Sequence, residues 1–246
     1  MAGARASRTA LRLGCFNSNI VVACAGQISV MMNGMSDHSN LFVLGLGLLL
    51  GLKHATDADH IAAVSTFVGS ERRLSRACAI GLSWGLGHTL ALFAASVMVI
   101  ALKIPMTRWL AERLELGVAI MLIILGARLI ASVHKKWHAH RHDFEWTRCG
   151  LKPLLVGIMH GAAGSSALML LVLSTMSSAT HALIYVVVFG FGSMAGMLLI
   201  SVLIAAPIHW ASHHIANSVR PIEILAGVFS CVSGLYLGVK VWQSMM

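Results

Sequence analysis

Six long apolar runs dominate the chain, at about 41–66, 79–101, 114–133, 153–173, 182–206 and 222–242. As helices, runs of about 20 residues or more are long enough to cross a hydrocarbon core of about 30 Å. A water-soluble core helix of that length carries a polar stripe, and these runs mostly carry none. Glycines recur inside them, as Gly45, Gly47 and Gly51, as Gly81, Gly85 and Gly87, as Gly157, Gly161 and Gly164, and as Gly190, Gly192 and Gly196. Gly161 lies four residues before Ser165 and Gly192 four before Gly196, a spacing of small residues that lets membrane helices pack backbone to backbone. The pattern predicts an all-α, polytopic transmembrane helical bundle of about six spans.

Residues 1–38 read as an N-terminal tail ahead of a transmembrane domain at 39–246. Arg5, Arg8 and Arg12 precede a weakly apolar stretch, Ile20 to Met32, that Gln27 and Ser29 interrupt. A poor signal sequence and a seventh span over 13–33 are alternatives here. The favoured readings are a disordered tail or a gene start set too early, with Met35 as the first residue.

Composition sharpens this picture. The 246 residues are 57% hydrophobic and 11% charged, with a mean hydropathy of +0.81. A soluble domain is about 25% charged, so an ordinary water-soluble globular protein is excluded, and so is a wholly disordered chain. The net charge of +9 does not point to nucleic acid, because the basic residues lie between the apolar runs and no basic stripe alternates with aromatics. They set orientation instead. Arg72, Arg73, Arg76, Lys135, Lys136, Arg141, Arg148, Lys152 and Arg220 fall on one face, against Lys103, Arg108, Arg113 and Lys240 on the other. The richer face is expected to be cytoplasmic, which places both ends of a six-span bundle outside. Trp109, Trp137, Trp210 and Trp242 sit near span ends as interfacial anchors, and Arg128 is expected to snorkel. Glu223 reads as a boundary residue. Cys15, Cys24, Cys78, Cys149 and Cys231 form no C-x-x-C and read as small apolar fillers.

The first run is interrupted by Lys53-His54-Ala55-Thr56-Asp57-Ala58-Asp59-His60, past the middle of the span. Each Asp or Lys near a helix centre costs about 2.5–3.5 kcal/mol on insertion scales, so the cluster needs a partner or a function. In a regular helix Lys53, Asp57 and His60 share a face, His54 and Asp57 are neighbours, and Asp59 points elsewhere unless the helix is broken there. A Lys53–Asp57 ion pair facing the bundle interior is the structural explanation; it leaves Asp59 and both histidines unexplained. Imidazole nitrogen with carboxylate oxygen suits nickel, cobalt, zinc or iron(II), and a proton relay is the other functional option. His88, in Gly81 to Thr89, and His160, in His160 to Ser166, place single imidazoles among glycine and hydroxyl residues in two further spans. A lone membrane histidine is more often a helix contact than a ligand. The three polar spans together can line one path.

These segments resemble the nickel/cobalt transporter (NiCoT/NicO) family, over about residues 41–240. His54 to His60 matches its H-x4-D-H signature, and Ser83, Gly87, His88 and Thr89 match its S-x-G-H-[ST] region. His160 to Ser166 is similar to the H-G-x-A-G-S segment of the shorter members, labelled nickel permeases or urease-accessory-type membrane proteins. The resemblance implies metal recognition by His54, Asp59, His60 and His88; Asp57 joins them on geometry alone. Longer members carry acidic residues in later spans, whereas 153–206 has none and Gly192 to Met197 keeps only glycine and methionine. The missing first span of the longer members agrees with an N-terminus outside.

The function expected is therefore a permease of the cytoplasmic (inner) membrane for a divalent transition metal, nickel or cobalt, with the ion as substrate and no resident cofactor. Its partners are the ion, the lipid bilayer and, beyond these, a second copy or an accessory protein. A potential of 100 mV supplies about 4.6 kcal/mol for a divalent cation. Four histidines in the loop at 134–148 (His134, His138, His140 and His142) can collect metal on the cytoplasmic face or simply belong to a basic topogenic loop. His209, His213 and His214 are read as interfacial. Export, and delivery of metal to a cytoplasmic maturation system, stand as alternatives. An intramembrane protease is disfavoured because H-E-x-x-H is absent.

Overall fold

Apolar residues on every side and backbone groups with no water to bond leave a membrane chain little choice but helix. The computed structural model describes residues 37–69, 71, 73–103, 107–135, 150–175, 178–214 and 219–246, and these are overwhelmingly helical, with no strand among them. Seven α-helices follow in order: α1 (Asp37–His54), α2 (Ala58–Val68), α3 (Leu74–Ser96), α4 (Arg108–Lys135), α5 (Lys152–Thr175), α6 (Ala179–His214) and α7 (Val219–Met245). A π-helical turn, Val97–Ala101, continues α3. Among the described residues, α3 with its π turn, α4, α6 and α7 are each long and apolar enough to cross a membrane. The 24 residues of α5 reach about 36 Å at 1.5 Å per residue. This is the all-α membrane bundle that the apolar runs predict. The N-terminal tail and nearly all of the histidine-rich loop lie outside the described residues.

Two expectations about the spans need correction. The first run is two helices rather than one, broken at Ala55–Asp57, where Asp57 adopts an extended conformation (φ −64°, ψ 146°) as the N-cap of α2. The stretch 207–214, expected as a connection, is the end of α6, which runs through Pro207. Proline is tolerated inside a membrane helix where neighbouring groups satisfy the carbonyl it frees. His209 and His213 thus sit four apart on one helix.

The bundle is assembled by backbone contact. α3 packs against α5 and α6, α1 against α6, and α4 against α7, while the short α2 lies among α7, α6, α4 and α3. A Cβ on Gly87 would run into the Leu154 carbonyl oxygen, one on Gly157 into that of Trp84, and one on Gly161 into that of His88. The α3 and α5 backbones therefore touch. Gly51 against Phe189 and Gly192 against Leu48 do the same for α1 and α6. Leu82, Leu86, Leu90 and Phe93 form an exposed stripe on α3, opposite its buried face of Gly81, Trp84, Gly85, Gly87, His88 and Leu92. In a bilayer that stripe faces lipid. Several hydroxyls bond within their own helix, as Ser65 to Ala62 and Ser201 to Met197, and others across helices. Thr89 donates to the Gly190 carbonyl and Ser230 to the Leu122 carbonyl. Trp109, Trp210 and Trp242 are exposed near helix ends and Arg128 is exposed on α4, as anchors and a snorkelling side chain should be. Glu223, read from the sequence as a boundary residue, is instead buried.

Gly157→Val should disrupt the α3–α5 contact, because overpacking costs about 1–3 kcal/mol even where only side chains must yield. We expect a lower thermal midpoint and a smaller monodisperse fraction in detergent than for Gly45→Ala, since no atom lies within 4 Å of a Cβ at Gly45. Equal behaviour of the two variants would contradict the packing described.

Candidate metal centre

The break between α1 and α2 builds the site. The Ala55 N–H bonds the Gly51 carbonyl, while Thr56 and Asp57 turn to Lys53 and His54, with the Thr56 hydroxyl capping the Lys53 carbonyl at 2.6 Å. α2 restarts with the His60 and Ile61 amides on the Asp57 carbonyl. Each half-helix end carries the charge its dipole favours: Lys53 and His54 in the last turn of α1, Asp59 in the first turn of α2. The new register overturns the shared face expected for Lys53, Asp57 and His60. Lys53 and Asp57 do approach at 3.9 Å, but they are 61% and 38% exposed, whereas His60 is buried. Asp59, expected to point elsewhere, turns into the bundle.

Asp59 is the hub. Its Oδ2 lies 2.9 Å from His160 Nε2 and its Oδ1 lies 3.2 Å from His60 Nδ1. Asp57 Oδ2 lies 3.0 Å from His54 Nδ1. Four imidazoles then gather. Ring centroids are 4.5 Å apart for His54 and His60, 5.3 Å for His54 and His88, 5.1 Å for His60 and His88, and 4.3 Å for His60 and His160. One nitrogen each from His54, His60 and His88 lie within 4.8 Å of one another, and so do one atom each from Asp59, His60 and His160.

The glycine contacts make this possible. Gly157 and Gly161 seat α5 on the backbone of Trp84 and His88, which brings His160 to the same level as His88. Gly164 faces the His54 ring, 3.8 Å from Nε2 to the position of a Cβ. Trp84 stands 5.5 Å from His60 and 5.9 Å from His160, and Phe189 stands 5.5 Å from His54.

Several buried nitrogens here have no hydrogen-bond partner among the described residues: His60 Nε2, both nitrogens of His88, and His160 Nδ1. Most buried polar atoms are bonded, so each such atom calls for an explanation. A metal ion suits one nitrogen of each neutral ring, the one with the lone pair; it does not account for both nitrogens of His88. Asp59 keeps 34% of its side-chain surface exposed and His54 21%, so the cluster is reached through these two groups.

The chain is 35% identical over 206 residues to the urease accessory protein UreH of Bacillus sp. strain TB-90, a match covering 80% of this chain and 90% of the relative. A stretch of 66 residues, 24% of this chain and 17% of the relative, is 41% identical to the nickel transporter NicT of Mycobacterium tuberculosis. The chain belongs to the nickel/cobalt transporter family. No family model matches it, and neither does any solved structure. As a multi-pass member of that family, it has transporter and accessory proteins, not enzymes, as its named relatives.

All five residues expected at the site, His54, Asp57, Asp59, His60 and His88, lie in or beside this cluster. His160 was left outside the expected set, because the resemblance carried metal recognition over only from the first two motifs. Its signal was the small-residue stretch Gly161 to Gly164 immediately after it.

Removing the Asp59 carboxylate would strand His60 Nδ1 and His160 Nε2, and a buried unsatisfied polar group costs about 1–3 kcal/mol. We expect Asp59→Ala to lower the thermal midpoint of the purified protein more than Asp57→Ala, whose partner His54 still reaches solvent. An equal or reversed order would argue against Asp59 as the hub.

Proposed function

We propose that this chain is a permease that carries a divalent transition-metal ion, nickel or cobalt, across the cytoplasmic membrane, held in transit by His54, His60 and His88. The observation that carries the reading is the convergence of three imidazole nitrogens, one from each of α1, α2 and α3, within 4.8 Å of one another. A nitrogen donor set suits borderline metals and is poor for magnesium or calcium, which take oxygen. Asp57 and Asp59 each accept from the Nδ1 side of a ring, the arrangement that fixes a ligating imidazole and raises its basicity. Both carboxylates thus belong to the site by orienting rings, and they supply the charge that compensates a dication.

The helix break supports transport rather than static binding. Discontinuous membrane helices place their ends at ion sites, with flexible backbone where the ion must enter and leave. The membrane potential is the driving force available to a chain without a nucleotide-binding motif; inward movement of a divalent ion gains about 4.6 kcal/mol per 100 mV. A second reading, delivery of metal to a urease maturation system, is favoured by one observation: the relative that matches nearly full length is named a urease accessory protein. A permease that feeds such a system satisfies both.

The test is accumulation of labelled nickel and cobalt in cells lacking their own transporters for these metals and lacking urease genes. Wild-type protein should raise accumulation. His54→Ala, His60→Ala and His88→Ala at equal membrane expression should each reduce the gain by at least about 10–100-fold, the loss seen when only the outer partners of metal ligands are removed. A histidine-dependent fall below empty cells would establish export instead. No change with any of the four proteins would contradict transport by this chain alone and leave the accessory reading.

A further inference from the structure

His60 belongs to two sets of donors, the one that the permease reading uses and a second one. His60 Nδ1 lies 3.2 Å from Asp59 Oδ1, and the other oxygen of the same carboxylate lies 2.9 Å from His160 Nε2. The three ligand atoms lie within 4.8 Å of one another, on α2 and α5, with His60 and His160 almost fully buried. His60 belongs also to the set with His54 and His88, and its Nε2 has no hydrogen-bond partner among the described residues.

We propose that Asp59, His60 and His160 form a second position for the transported metal ion, and that His60 passes the ion between the two positions. The inference rests on the permease reading. A single imidazole has two nitrogens about 2 Å apart that point in diverging directions, so it can ligate on either side. At the first position the ion is held by nitrogen alone and Asp59 orients His60. At the second, Asp59 stops accepting a hydrogen bond and becomes a ligand. Before the ion enters the second position, the protons that His60 Nδ1 and His160 Nε2 donate to Asp59 leave through that carboxylate to water; each ring takes up one proton from water on its opposite nitrogen, His60 Nε2 as the ion leaves it and His160 Nδ1, so both rings stay neutral. Two dications flanking one ring would repel strongly across a poorly solvated bundle, so the positions are occupied in turn.

The two positions differ in chemistry in a way that aids release. The first is a neutral three-nitrogen set. The second includes a carboxylate whose side chain is one-third exposed. An ion moved from the first to the second is therefore moved towards a harder donor. Trp84 stands beside both His60 and His160 but not within ring contact of His54. It is placed to report the second position by fluorescence quenching.

The experiment uses the full-length protein purified in detergent and reconstituted in vesicles, with cobalt(II) as the probe for both binding and flux. Wild type should bind cobalt and move it. His160→Asn, which can still donate a hydrogen bond to Asp59 but is a poor ligand, should bind cobalt nearly as tightly as wild type and lose flux by about tenfold or more. His88→Ala, which removes the first position, should retain weaker cobalt binding with an altered visible spectrum. Adding His160→Asn to it should abolish that residual binding. Wild-type flux in His160→Asn would overturn the second position and leave the first intact. The same conclusion follows if His88→Ala alone binds no cobalt, a result independent of how well the His160 variant folds. If wild type neither binds nor transports cobalt or nickel, the permease reading itself fails.

Discussion

A carboxylate inside a membrane bundle persists only with partners, and Asp59 has two imidazoles, one on each oxygen. The local structure around the site follows from that requirement. To bring Asp59 inward the first span has to break, because a continuous helix that buries His60 would turn Asp59 away. The break at Ala55–Asp57 supplies the change of register, and Asp57 and Thr56 bond locally so that the exposed backbone is not left unpaired. Helix-end charges then favour the arrangement, with basic residues at the end of α1 and Asp59 at the start of α2.

Small residues turn this local geometry into a site. In lipid there is no hydrophobic drive between helices, so close backbone packing must hold them together. Gly87, Gly157 and Gly161 let α3 and α5 touch, and Gly51 and Gly192 do so for α1 and α6. The consequence is chemical as well as mechanical. Imidazoles from four helices meet within about one side-chain length, and several of their buried nitrogens have no hydrogen-bond partner among the described residues. A cluster of that kind is poorly stable on its own and well suited to a cation that accepts lone pairs.

Much of this was legible in the residues. Long apolar runs gave the spans, and charged residues in the first run located the site before any geometry was known. What periodicity could not show was the break, since Ala55-Thr56-Asp57 contains neither proline nor glycine and continues a helical pattern on paper. That single assumption misplaced Asp59. His160 was misjudged for a different reason: its partner lies 101 residues away in the chain, and only packing shows the pair. The apolar run was ended at 206, whereas α6 continues through Pro207 to His214; membrane helices carry proline when neighbours satisfy the freed carbonyl. Glu223 was taken for a boundary residue from its place in the run, whereas the packing of α7 in the bundle buries it.

The central claim is that imidazole nitrogens, drawn together by the broken first span, hold the transported ion. X-ray absorption at the nickel edge of the purified full-length protein tests it most directly. The account requires a nearest shell of nitrogen and oxygen with the outer-shell scattering of two or more imidazole rings, lost in a His54→Ala, His60→Ala, His88→Ala triple variant. A shell of water oxygen alone, or one of sulfur, would contradict it.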